Sequence, residues 1–187
     1  MSPALDSRSV LVSVGGSVAA YKACAVVTEL RRRGAEVRVA MTHAATRLVT
    51  PVLLRALSGH PVLADLWTPD AVEPGHGMGH LELGAWAHVN VVVAASADLI
   101  ARLALGFGDD AVAATALASR APLLVAPAME GAMWEHPATQ ANVATLTARG
   151  ATILGPVRGR LASGREDSGR MLEPDAIVAA VEQALGG

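Results

Sequence analysis

The sequence predicts an α/β fold, a doubly wound parallel sheet in three layers. Three observations carry that expectation. Short apolar runs alternate with segments of helical spacing along the chain. The first strand, glycine turn, helix and second strand, residues 9–41, together have the length of a right-handed parallel crossover. Val89 to Ala95 (VNVVVAA) reads as a strand apolar on both faces, as an inner parallel strand must be.

Taken in order, Ser9 to Val14 (SVLVSV) is a buried strand rich in β-branched residues and ended by Gly15-Gly16. Val18 to Arg33 has helical spacing, with Ala19, Ala23, Val26, Val27 and Leu30 on one face. Arginines 31 to 33 suit the last turn, and Gly34 is the stop. Glu36 to Met41 is the second strand. Thr42 can cap a further helix, and Pro51 starts a short one. Residues 67–79 have turn chemistry throughout. After Val89–Ala95 come helical segments at 97–105 and 109–118, a strand at Leu123 to Ala126, a helix from Pro137 to Arg149 stopped by Gly150, and a short strand at Thr152 to Leu154. Residues 155–170 are polar and glycine-rich, and read as an unusually long connection. Glu173-Pro174 opens a last helix running to Leu185. With no linker or repeat in view, residues 1–187 are expected to form a single domain.

Composition narrows the function classes. Just over half the chain is apolar and 17% is charged, which excludes a disordered chain. Aromatics are scarce, so the core is built from small side chains that leave room for a planar ligand. The net charge is −2, with no basic stripe, and nucleic acid is not an expected partner. Cys24 is the sole cysteine, which excludes an intrachain disulfide and a two-cysteine metal site. His76 and His80 lack a third ligand of the right kind nearby, so no metal is expected. The N-terminal residues lack a secretory layout and no long apolar span is present, so the expectation is a cytoplasmic protein with no membrane partner. The positive mean hydropathy favours a homo-oligomer.

In doubly wound sheets, ligands bind beyond the carboxyl ends of the strands. The unusual residues of this sequence fall there. Gly15, Gly16 and Ser17 follow the first strand, where a backbone approaches a ligand closely and a helix start favours phosphate; the dinucleotide fingerprint GxGxxG is absent. Thr42 follows the second strand, read alone as an ordinary cap. Ser96-Ala97-Asp98 follows Val89–Ala95, where Asp98 either caps the next helix or faces a ligand. Pro127 to Trp134 (PAMEGAMW) puts two methionines and a tryptophan in a turn. His80 is a candidate general base, since histidine is the side-chain type suited to that role, although a lone histidine is more often structural.

Together SVGGSVAAYK at 13–22, VAMTHAATRLV at 39–49, HLELGAWA at 80–87, ASADLIARLALGFGDDAVAAT at 95–115, PAMEGAMWEHPATQ at 127–140 and GRMLEP at 169–174 resemble the homo-oligomeric flavin-containing cysteine decarboxylases. That family includes phosphopantothenoylcysteine decarboxylase of coenzyme A synthesis and the decarboxylases of C-terminal cysteines in ribosomally made peptides such as lantibiotics. The resemblance implies a flavodoxin-like fold and a homotrimer or homododecamer with FMN or FAD, FMN favoured, at subunit contacts. It implies flavin contacts at Gly15, Gly16, Ser17, Thr42, Ser96, Thr115 and Met129, and catalysis by His80 with Asp98. Glu130, Met133, Trp134, Ser163, Arg165 and Arg170 would meet a substrate bearing a terminal cysteine. In that family the substrate CH2–SH is oxidised to a thioaldehyde, which serves as electron sink for loss of CO2 and leaves an enethiol.

Three positions depart from the family pattern. Asp98 and Glu130 stand where asparagines usually grip the substrate and its carboxylate. Added acids there are unfavourable unless one is protonated or an arginine intervenes, and Arg165 and Arg170 can supply that charge. Ser163 stands where the coenzyme A enzymes have a cysteine that helps reduce the enethiol; a hydroxyl is a far weaker acid than a thiol. Ser163 therefore favours an oxidative peptidyl-cysteine decarboxylase whose product is the enethiol. The alternatives are phosphopantothenoylcysteine decarboxylase and a non-catalytic flavin-binding subunit.

Overall fold

The computed structural model describes residues 5–67 and 78–186. Its strands are β1 (Ser9–Val14), β2 (Glu36–Met41), β3 (Val62–Leu63), β4 (Val89–Ala95), β5 (Leu123–Pro127) and β6 (Thr152–Ile153), joined in one parallel sheet in the order β3-β2-β1-β4-β5-β6. A separate antiparallel pair, β7 (Val157–Arg160) and β8 (Glu166–Arg170), follows. The helices are α1 (Lys22–Arg32), α2 (His43–Thr46), α3 (Pro51–Ser58), α4 (Gly79–Trp86), α5 (Ala97–Leu105), α6 (Ala111–Ala118), α7 (Gly131–Trp134), α8 (Pro137–Ala148) and α9 (Pro174–Ala184). Without the two-residue edge strand β3, the strand order is the flavodoxin one. No helix among the described residues is long and apolar enough to cross a membrane.

The sheet is buried on both faces, which is why its strands are valine runs rather than alternating ones. Val10, Val12, Val14, Val91 and Val93 meet Val26, Val27 and Leu30 of α1, Leu54 of α3, and Ile177 and Val181 of α9. Leu11, Val92 and Val125 face the other way, onto Leu83 of α4, Leu99 and Ile100 of α5, Val112 of α6 and Leu146 of α8. These are the three expected layers.

The strands and long helices fall where the sequence places them, to within a residue or two. The helix expected over 18–33 opens with a 3-10 turn, Val18–Tyr21. Four elements escaped the sequence reading: β3, the helix α4, the short helix α7 in what was read as a turn, and the hairpin β7–β8. Residues 155–170, read as a connection, form that hairpin although its side chains are mostly polar and exposed. Its pairing is secured from outside, by Leu161 and Met171 in the core and by a hydrogen bond from the Met129 N–H to the Gly169 carbonyl. Most of the 67–79 turn region, with His76, lies outside the described residues.

One backbone irregularity matters for the site. The β4–β5 register shifts between Val93 and Ala95, and Ala94 has φ 61°, in the left-handed region. Left-handed backbone costs an L-residue about 1–2 kcal/mol. Bulges of this kind gather beside functional sites, where they re-aim side chains. Ala94→Val, which adds β-branching at positive φ inside a closed core, should lower unfolding free energy by about 2 kcal/mol or more. Ala94→Gly should stay within about 1 kcal/mol of wild type, since relief of strain is offset by a freer unfolded chain. Urea unfolding of the two variants measures both.

Candidate active site

Strands β1 and β4 are neighbours, but the chain leaves them toward opposite faces of the sheet, into α1 and α5. The divergence opens a crevice at their carboxyl ends, the usual ligand position in this architecture. The crevice is a cavity of about 770 Å³. Gly16 and Ser17 line one side, Ser96 and Met129 another, and β7–β8 closes over it with Leu161 and Gly169.

The floor is backbone. The Gly15 N–H donates to the Val93 carbonyl at 2.8 Å, and a Cβ on Gly15 would run into the Ala94 carbonyl oxygen. Glycine is required there by close approach, and Gly15 itself lies beneath the cavity. Ser17 is buried and extended, and no side chain caps the helical turn that follows it. Its hydroxyl and the first amides of that turn are left for a ligand, an arrangement that suits phosphate. Ser96 caps α5, accepting from the Leu99 N–H at 3.2 Å, so its own hydroxyl proton is available to donate into the cavity. Met129, Met133 and Met171 supply adaptable apolar walls. The volume lies in the range of cofactor sites, and a phosphate-compatible glycine turn beside apolar walls fits a flavin. Gly16, Ser17, Ser96 and Met129 are the residues that would hold it.

Glu130 enters the cavity from the end of β5. Its carboxylate is engaged by the hairpin tip: the Ser163 hydroxyl donates to Oε2 at 2.9 Å and the Ser163 N–H to Oε1 at 3.4 Å. At the hairpin base, Gly169 has φ 118° and its Cα faces the Met129 carbonyl so closely that no side chain fits. The hairpin is thus fastened to the β5–α7 turn at both ends. Arg165 braces the tip with its backbone alone: its N–H lies 3.4 Å from the Ser163 hydroxyl, its carbonyl accepts from the Leu161 N–H at 2.8 Å, and its side chain is exposed.

Three cations line the same cavity: Lys22, Arg160 and Arg170. Sequence reasoning passed over the first two. The sole lysine of the chain, one turn past a glycine–serine turn, was the signal for Lys22. Lys22 Nζ donates to both oxygens of Glu173 at 2.9 Å, and Arg170 donates to the same carboxylate.

The other expected site residues lie apart from this cavity. Thr42 is buried as the cap of α2, accepting from the Ala45 N–H at 3.1 Å. Thr115 is fully buried and its hydroxyl donates to the Ala111 carbonyl. Asp98 points to solvent in the first turn of α5, where Ser96 is the cap, and is ion-paired with Arg102 at 2.9 Å. His80 is half-buried on α4 and Trp134 half-buried on α7; neither lines the cavity of its own chain.

The Lys22 hydrogen bond, and after it the Arg170 one, holds the Glu173 carboxyl below its ordinary range. A carboxyl lowered on folding stabilises the protein above its unfolded pKa, and that contribution is lost as pH falls through the lower folded value. Glu173→Gln should therefore lower Tm at neutral pH, and the gap to wild type should close in acid, below the usual carboxylate range. Thermal unfolding across pH measures the gap.

Comparison with known proteins agrees with this geometry. The chain matches the Flavoprotein family over residues 2–186. It is 45% identical over 179 residues to the coenzyme A biosynthesis bifunctional protein CoaBC of Vibrio vulnificus, covering 96% of this chain and 44% of that protein. The Escherichia coli CoaBC is 46% identical over 174 residues, covering 93% and 42%. The chain thus spans less than half the length of these curated relatives. Among solved structures, the FMN-dependent cysteine decarboxylase SpaF superposes with TM-score 0.81 at 34% identity, covering 97% of this chain and 99% of SpaF. A cysteine-to-serine mutant of PPC decarboxylase, complexed with pantothenoylaminoethenethiol, superposes with TM-score 0.85 at 29% identity, covering 96% and 99%. The chain belongs to the Flavoprotein family, in its branch of flavin-dependent cysteine decarboxylases.

Proposed function

We propose that this chain decarboxylates phosphopantothenoylcysteine, the coenzyme A alternative of the sequence reading, with FMN as cofactor. The observation that carries the reading is the 45% identity to CoaBC over 96% of the chain, against 34% to SpaF. FMN is favoured because SpaF is FMN-dependent and the FMN-binding protein AtHal3 is 30% identical over 95% of its length. A flavin held there would supply the two-electron oxidation of the substrate CH2–SH. The protein's part is to orient the cysteine and move protons. Ser17 and Ser96 hold the cofactor side, and Met129 and Met133 shelter the reacting carbon from water. Glu130, already bonded to Ser163, keeps the hairpin closed over it.

His80 serves as the proton-moving residue of a neighbouring subunit's site, in keeping with the trimer or dodecamer that the resemblance implies. Phe107 and Leu117, 52% and 64% exposed, line one groove between α5 and α6 and supply apolar surface for such an assembly.

The second reading is decarboxylation of a peptide's C-terminal cysteine. Ser163 favours it, as does the 34% identity to SpaF against 29% to the PPC decarboxylase mutant. On either reading Ser163 leaves the enethiol as product, and the PPC decarboxylase mutant that carries serine for cysteine is complexed with an aminoethenethiol. The test is incubation in air with phosphopantothenoylcysteine and with a cysteine-ended peptide, read by mass spectrometry. The expected product is phosphopantothenoylcysteine lacking CO2 and two hydrogens. Conversion of the peptide alone would select the second reading, and conversion of neither would leave a flavin-binding subunit.

A further inference from the structure

We propose that Lys22, Arg160 and Arg170 form a subsite for a phosphate monoester on the substrate, at the mouth of the cavity. The inference rests on the decarboxylase reading for the rest of the substrate and adds what the site recognises at its outer end.

The three cations converge from two elements far apart in sequence. Lys22 opens α1, and Arg160 and Arg170 lie at the two ends of the hairpin pair. All three line the cavity, and a single acid, Glu173, serves two of them. Arg160 has no ion-pair partner among the described residues. Elsewhere acids match or outnumber the cations they hold: Arg102 is held by both Asp98 and Asp109, and Glu29 and Glu182 take up Arg32 and Arg33. The other acid of the cavity, Glu130, is engaged by Ser163 rather than by these cations. Arg170 reaches the mouth by lying across Gly159, where a Cβ would strike its side chain. The mouth is therefore a place where positive charge exceeds negative and the side chains are arranged to deliver it. Lys22 is nearly covered, with 12% of its side chain exposed, so its charge acts in poorly screened surroundings.

The flavin's own phosphate would take a separate place. The uncapped turn after buried Ser17 offers amides within the crevice, whereas Arg160 and Arg170 are exposed on the hairpin. A phosphate at the mouth is a second anion, on the end of the substrate remote from its cysteine. Glu173 competes with it for Lys22 and Arg170, which sets the affinity of the subsite.

The test titrates the flavin-loaded protein with phosphopantothenate and with pantothenate by calorimetry, alongside CO2 release from the two corresponding cysteine conjugates. Wild type should bind the phosphorylated compound about tenfold or more tighter, the scale of charge-assisted contacts. Arg160→Met should pull that ratio toward unity, Arg160→Lys should retain most of it, and Glu173→Gln should raise it. Equal affinities in wild type, or a ratio untouched by Arg160→Met, would overturn the subsite. Loss of flavin from Arg160→Met with the ratio intact would assign the cations to the cofactor and overturn it as well. A ratio that behaves as described, without CO2 release from either conjugate, would sink the decarboxylase reading and leave the phosphate subsite standing.

Discussion

The site depends on how β4 ends. Ala94 turns into the left-handed region, the ladder to β5 slips, and the carbonyl of Ala94 is thrust under Gly15. That contact brings the glycine turn after β1 and the cap of α5 after β4 to the two sides of one crevice. Ala94 also donates its N–H to the Met171 sulfur at 3.2 Å, so the chain leaving the hairpin is tied to the same point. The strain is tolerated because everything around Ala94 is closed: Val91, Val93 and Met171 are almost wholly buried.

Around that point the electrostatics resolve locally. The two acids that depart from the family pattern looked like a double threat to a substrate carboxylate. Asp98 is removed from the question by Arg102, one helical turn away, and by its exposed position. Glu130 does remain in the cavity, but its charge is met by the hydroxyl and amide of Ser163 rather than by an arginine. Glu130 and Ser163 are thus one feature, a clasp between the β5 turn and the hairpin tip. Arg170, expected to offset the acids, is drawn instead toward Glu173 at the mouth.

Much of the fold was legible because burial on both faces leaves a plain mark: β1, β2, β4 and β5 read directly as valine-rich runs between glycine and proline signals. Thr42 could be seen as a cap, and it does cap α2; the caps supplied by Thr50 and Ser96 were not read from the sequence, which offered Asp98 in place of Ser96. The hairpin could not be seen, since its exposed polar strands carry no period and its fastenings come from Met129 and Glu130, decades of residues upstream. Of the site, the residues at strand ends were legible because topology alone puts Gly16, Ser17, Ser96 and Met129 in one place. The pairing of Asp98 was not foreseen because its partner Arg102, four residues on, was not weighed. Lys22 was missed because its one signal, a sole lysine just past the glycine–serine turn, was not weighed, and Arg160 because a cation in an unread strand carries no signal until the fold brings others beside it.

The most direct test of the account is a single turnover without oxygen. The flavin-loaded protein is mixed anaerobically with phosphopantothenoylcysteine while CO2 and the flavin's visible absorbance are followed together. If the crevice pairs flavin with the cysteine end and Ser163 cannot return the electrons, CO2 should appear in step with loss of that absorbance and stop when the flavin is consumed. CO2 release with the absorbance unchanged, or continued turnover without an outside acceptor, would contradict it.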